Sequence, residues 1–181
     1  SGNELFNKRS GKISGFSSYG YLIKPYDYNI PKFINFLQEN GIRLKSSSKI
    51  FKIKNSYFEY GTLLIPVVGQ SKKPEKIFEL LTEISEKTGI DVYSLSSGYE
   101  DNIGFGSNFF TTIKKPKIGL IVGNGVRSYD AGEIWHLFDT RYGIPITKLD
   151  VKNLNRTNLT EYSHIILPSY SGSSINIDTI K

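Results

Sequence analysis

The sequence predicts an α/β protein: a small mixed α/β unit followed by the first half of a doubly wound parallel sheet. Three observations carry that expectation. Helix-period apolar residues follow a proline twice, after Pro31 and Pro74, each time between short β-rich runs. Residues 117–122 (KIGLIV) form a near-continuous apolar run of the kind that parallel sheets bury on both faces. A glycine turn, a helix pattern and two more short apolar runs come after it, giving the order strand, helix, strand, turn, strand.

In chain order, residues 1–16 begin without a methionine and are polar and aperiodic, so they read as a disordered lead-in or tag on a piece of a longer protein. The small α/β unit spans residues 17–98. Residues 19–24 (YGYLIK) are a strand ended by Pro25. Asn29 stands where a helix cap would, and Phe33, Ile34, Phe36 and Leu37 recur at helical spacing up to Asn40-Gly41. Residues 42–45 and 50–53 read as strands around a turn at Ser46, Ser47 and Ser48. Residues 62–68 (TLLIPVV) read as a buried strand that Pro66 relegates to an edge or a bulge. Lys73-Pro74 opens a helix with Ile77, Leu80, Leu81 and Ile84 on one face, closed at Thr88-Gly89, and residues 91–95 are the next strand.

Residues 99–116 carry Gly, Ser and Asn, end near Pro116, and read as a linker. The partial sheet occupies residues 117–181. After its first strand, Gly123-Asn124-Gly125-Val126 forms a tight turn. Asp130, with Glu133 three residues on, is placed to make a capping box for a helix whose apolar positions are Ile134, Trp135, Leu137 and Phe138. Residues 145–149 and 164–168 are its second and third strands, and 171–181 offer a loop with the start of a helix. Three strands alone leave an edge and a face uncovered, so either the earlier unit or further sequence must complete the sheet.

Composition removes several function classes. Cysteine is absent, which excludes thiol catalysis, thiolate metal sites and disulfides. No apolar run approaches the roughly 20 residues that span a bilayer. The net charge of +6 raises nucleic-acid binding, but the cationic groups Lys45/Lys49/Lys52/Lys54, Lys72/Lys73/Lys76 and Lys114/Lys115/Lys117 are lysines separated by acidic stretches. The five arginines, which supply bidentate base contacts, never cluster. A solvated lysine face without a nucleic-acid partner is the expectation.

Candidate chemistry lies mostly in the last third. Gly123-x-Gly125-x-x-Ser128 follows a strand and opens a helix, and Asp150 ends the next strand, which is the placement of a dinucleotide fingerprint. Ser128 stands where the third glycine belongs, and Asp130 puts negative charge where a phosphate would sit, so a ligand-free tight turn competes with a nucleotide-phosphate site. Glu133, His136 and Asp139 fall at i, i+3 and i+6 of one helix and imitate the spacing of metal ligands. A catalytic zinc needs a third ligand, and the only other histidine is His164. Ser96-Ser97-Gly98 and Ser169-Tyr170-Ser171-Gly172 qualify as nucleophile loops by residue type alone, without the G-x-S-x-G frame. The aromatics Tyr19, Tyr21, Tyr26, Tyr28, Tyr57, Phe58 and Tyr60 divide between core packing and a face that docks on another domain.

Three blocks also match a known pattern: residues 122–126 (VGNGV), residues 129–136 (YDAGEIWH) and residues 145–150 (PITKLD). They resemble the region after the catalytic domain of large bacterial zinc carboxypeptidases of the carboxypeptidase A-like metallopeptidase family. There a class I glutamine amidotransferase-like domain of flavodoxin-like topology follows the peptidase. Residues 21–25 (YLIKP), 61–66 (GTLLIP) and 93–98 (YSLSSG) are similar to the linking α/β segment, so the likeness covers about residues 19–170. The family's His-x-x-Glu pair, second histidine and catalytic glutamate have no counterpart here, and an amidotransferase needs a cysteine that the chain lacks. The resemblance therefore implies a non-catalytic accessory region. Zinc would sit in the parent's peptidase domain, the partner would be that domain in the same polypeptide, and the location would be periplasmic or secreted. The alternative from the residues themselves is a small-molecule or nucleotide-phosphate binding module using the Gly123–Ser128 turn.

Overall fold

A computed structural model of the chain describes residues 9–101 and 103–171. The chain divides into two units between Ile113 and Lys114.

The first unit is built on two central strands that are apolar on both faces. In β1 (Gly20–Ile23) and β5 (Leu63–Pro66), Tyr21, Ile23, Leu63 and Ile65 face one way and Leu22 and Leu64 the other, and all are buried. Helices α1 (Ile30–Glu39) and α2 (Pro74–Thr88) cover the first face with Phe33, Leu37, Ile77, Leu81 and Ile84. The hairpin β3 (Phe51–Ile53) with β4 (Ser56–Phe58), together with Leu95, Phe105 and Phe110, covers the second. Each such aliphatic or aromatic side chain contributes about 1.5–3 kcal/mol on burial, so both layers hold the sheet.

The sheet is antiparallel, in the order β6 (Tyr93–Ser94), β1, β5, β2 (Lys45–Ser47), β9 (Phe110–Thr112). Strands β1 and β2 run parallel with β5 between them, and β5 and β6 run parallel with β1 between them. The two helical crossings are therefore interleaved, as in the β-α-β-β-α-β arrangement called split βαβ. Strand β5 is thus interior. Pro66 is tolerated because it is the last residue of the strand, opposite Gly20, so the edge position expected for it is corrected. Ser46 and Ser47, expected in a turn, are strand residues paired with β5 or β9. Helix α2 starts at Pro74, and α1 starts one residue before Pro31. Asn29 occupies the cap position of α1, but its side-chain amide donates to the Thr88 carbonyl at the end of α2, tying the two helices together.

Residues 99–116, expected as a linker, instead supply structure: the small hairpin β7 (Tyr99–Glu100) with β8 (Ile103–Gly104), and then β9, whose Phe110 is buried. Part of the expected lead-in is likewise ordered. Residues 9–14 lie along β6 as a strap: Ser14 N–H donates to Val92 O (3.0 Å), Val92 N–H to Lys12 O (2.8 Å), and Gly11 N–H to Ser85 O (3.3 Å). A Cβ on Gly11 would overlap the Ile90 carbonyl oxygen, so only glycine lets the strap approach α2 this closely. Residues 1–8 lie outside the described residues.

The second unit is a three-stranded parallel sheet in the order β11 (Ile146–Asp150), β10 (Ile118–Val122), β12 (His164–Ile166), with the first strand in the middle. Residues Ile118, Leu120 and Ile121 are buried, as the KIGLIV run requires. Gly119 is needed for packing, since a Cβ there would lie 2.6 Å from Leu149 Cδ1 and 3.3 Å from the Tyr162 ring. Helix α3 (Ser128–His136) begins at Ser128 with no side-chain cap, two residues before the expected capping box, so Asp130 lies in its first turn. A π-helical turn (Leu137–Tyr142) continues it to Gly143 at φ +65°. Leu137, expected in the core, is 39% exposed. Two 3-10 turns, Val151–Arg156 and Leu159–Glu161, connect β11 to β12 and close the opposite face through Leu154, Leu159 and Tyr162. The loop and helix start expected over 171–181 fall, beyond Ser171, outside the described residues. No helix among the described residues is long and apolar enough to cross a membrane.

If the strap belongs to the fold, Gly11→Ala should lower stability by about 1–3 kcal/mol, the usual cost of overpacking. It should also speed exchange of the Val92 amide, measured by hydrogen exchange and NMR. Unchanged Val92 protection would remove the strap from the fold.

Candidate functional site

Doubly wound sheets bind ligands outside the carboxyl ends of their strands, where neighbouring connections diverge. In the second unit those connections leave β10 and β12. They do not diverge. Arg127 N–H donates to Ser169 O (2.8 Å), Ser171 N–H donates to Gly125 O (2.8 Å), and Val126 pairs with Tyr170 in an antiparallel bridge. The crevice between β10 and β12 is closed by this backbone zipper, which uses the loop at Ser169, Tyr170 and Ser171 for structure. Gly172 lies outside the described residues.

The residues of the dinucleotide pattern are brought together at the other side of β10, with polar atoms already engaged. Gly123 and Gly125 adopt φ of +111° and +84°, values that favour glycine, and Ser128 opens α3. Asp150 Oδ1 accepts from the backbone N–H of Lys152 (2.9 Å), capping the 3-10 turn after β11, and a Cβ on Gly123 would stand 2.9 Å from that same oxygen. A phosphate laid on the turn would meet the Asp150 carboxylate beneath it and Asp130 in the first helical turn. The turn is shaped by chain reversal and by Asp150, and its electrostatics disfavour an anion there.

The metal-like residues are spread out. Glu133 and His136 are exposed on the outward side of α3, and Glu133 accepts a hydrogen bond from the Tyr129 hydroxyl, which with the charge of Glu133 pushes the Tyr129 phenol above its ordinary range. Asp139 is exposed in the π turn, and His164 begins β12, its Nδ1 3.0 Å from Ser163 Oγ. Among the described residues no three histidine or acidic side chains converge in a group that could hold a metal ion.

What the sequence reading missed is a cleft of about 330 Å³ between α3 and β11. Val122, Val126, Ala131, Gly132 and the Trp135 ring line it, and Lys148 projects from β11 with Nζ 4.5 Å from the centre of the Trp135 ring. The signal was present but faint. Lys148 interrupts an otherwise strand-like run, and the sheet register sets it beside Leu120 on the face toward α3, although on this outer strand it stays exposed.

In the first unit, the Ser96-Ser97 loop is built around a carboxylate. Glu100 Oε1 accepts from Ser96 N–H (2.5 Å), Ser96 Oγ (2.6 Å) and Ser97 N–H (2.9 Å), so both serines supply donors that hold this turn. The aromatic set divides sharply. Tyr21 and Phe58 are buried, the Tyr21 hydroxyl bridging the backbone of Ser17, whereas Tyr19, Tyr26, Tyr28, Tyr57 and Tyr60 are 46–70% exposed.

No family model matches the chain, and neither does any curated protein or solved structure.

Burial raises the Glu100 carboxyl, but the hydrogen bonds from Ser96 and Ser97 outweigh it and hold the group below its ordinary value. A depressed carboxyl stabilises the fold above its unfolded value, and that contribution is lost as pH falls through the lower folded value. Acidification across the carboxylate range should therefore lower the protection factors of the Ser96 and Ser97 amides, taken against their intrinsic exchange rates at each pH, and Glu100→Gln should abolish this pH dependence. Identical pH profiles in the two proteins would show that the carboxylate does not hold the loop.

Proposed function

We propose that this chain is a non-catalytic accessory region of a zinc-dependent carboxypeptidase, packing beside the peptidase domain of the same polypeptide in a periplasmic or secreted protein. The observation that carries the reading is the strand order of the second unit. Its first strand is central, with the second and third on either side, and all three are parallel. This order agrees with the opening of the flavodoxin-like arrangement, in which the third strand lies beside the first, better than with the other doubly wound order, in which it lies beyond the second. It supports the amidotransferase-like domain that the VGNGV, YDAGEIWH and PITKLD blocks imply. The backbone zipper closing the usual crevice suits a domain kept for its shape. The exposed tyrosines of the first unit suit a docking face, because tyrosine offers large contact area with little rotamer freedom to lose.

Two outcomes check this. The purified chain, supplied with zinc, should not hydrolyse a blocked dipeptide with a free C-terminal carboxylate; zinc-dependent turnover would overturn the accessory role. The reading frame encoding the chain should carry, ahead of residue 1, a His-x-x-Glu pair followed by a second histidine and a glutamate. A frame without them would remove the peptidase parent.

A further inference from the structure

We infer that the cleft between α3 and β11 is a binding site for a small carboxylate with a flat apolar body. This goes beyond the accessory role and does not depend on it.

The first observation is Gly132. It sits in the middle of a helix, where glycine costs about 1 kcal/mol relative to alanine. Positive φ does not require it, since Gly132 is not among the glycines with left-handed backbone. Packing does not require it either, because a Cβ there meets nothing within 4 Å. The glycines at 11, 89 and 119, by contrast, each have a backbone or side-chain atom within 2.6 Å of the added carbon. Gly132 lines the cleft, and the absent side chain leaves that part of the lining unfilled.

The second observation is the lining. Val122, Val126, Ala131 and the indole of Trp135 give an apolar slot, and its cation is Lys148. None of the ion pairs among the described residues uses Lys148; its ammonium rests on the Trp135 ring. A flat apolar group fits against the indole, and an anionic group attached to it reaches the ammonium. A carboxylate suits a single lysine better than a phosphate does, since a phosphate carries more charge and Asp150 and Asp130 lie toward the turn. The third observation is place: the cleft opens by Val122 and Gly123, at the carboxyl end of the central strand, on the side of β10 that the zipper leaves free.

The test uses the whole chain and its single tryptophan, which lines the cleft and so reports on it directly. Benzoate and phenylacetate are titrated while Trp135 emission is followed, with benzamide and inorganic phosphate as controls. Saturable change with the carboxylates is expected, weakened about tenfold or more for benzamide and in Lys148→Gln, as loss of a charged hydrogen bond implies. Gly132→Leu should abolish binding while keeping the circular dichroism and melting temperature of the parent, because its side chain grows into open space. The proposal is overturned by quenching that stays linear, by binding that survives Gly132→Leu unchanged, or by saturation with phosphate alone.

Discussion

A central strand buried on both faces is the constraint from which each unit follows. β1 and β5 in the first unit, and β10 in the second, have neither a polar face nor an edge to give to solvent. Each must be flanked by strands and covered by a layer on either side. In the first unit the layers are two helices and a pair of hairpins. In the second they are α3 and the 3-10 turns. Gly119 shows how tight the second arrangement is: a methyl of Leu149 occupies the space that its own side chain would take.

The same constraint decides what the second unit can do chemically. With β12 directly beside β10, the connections after the two strands lie close enough to hydrogen-bond, and they do so from Gly125 to Ser171. A glycine-rich turn after a buried strand is therefore compatible with two outcomes, a phosphate cradle or a backbone joint, and here the joint consumes donors and acceptors that a ligand would have needed. Asp150, the acid of the pattern, turns inward to cap the chain that follows it. The open space lies on the helix side, where the lining is apolar.

Features governed by neighbours in sequence were legible. Pro31, Pro74 and Gly89 mark helix limits because φ restriction and the left-handed region act on single residues, and KIGLIV announces a strand wrapped on both sides. Features set by partners far along the chain were not. The paired state of Ser46 and Ser47 depends on Leu63, 17 or so positions on, and on Phe110 and Thr111, and nothing about two serines signals it. Phe110 looked like part of a linker because its strand is only three residues long and its burial comes from Phe51 and Phe105. Pro66 misled because its exclusion from interior strands is relaxed at a strand end. The site was harder still. Gly123, Gly125, Ser128 and Asp150 were placed correctly on turn, helix and strand, but the cleft that Gly132, Trp135 and Lys148 line depends on how α3 and β11 meet, which composition does not encode.

The strap over 9–14 bears on how this molecule meets others. A sheet margin with open amides and carbonyls invites a second chain to add to it, and natural sheets blunt that risk by covering the margin or by placing lysine and proline nearby. Here the margin at β6 is already taken by the protein's own backbone. At the other, β9 passes through Ile113 into Lys114, Lys115 and Pro116. The β6 side is closed to strand addition, and the lysines and proline that follow β9 discourage it at the other, which limits strand-to-strand polymerisation of the first unit.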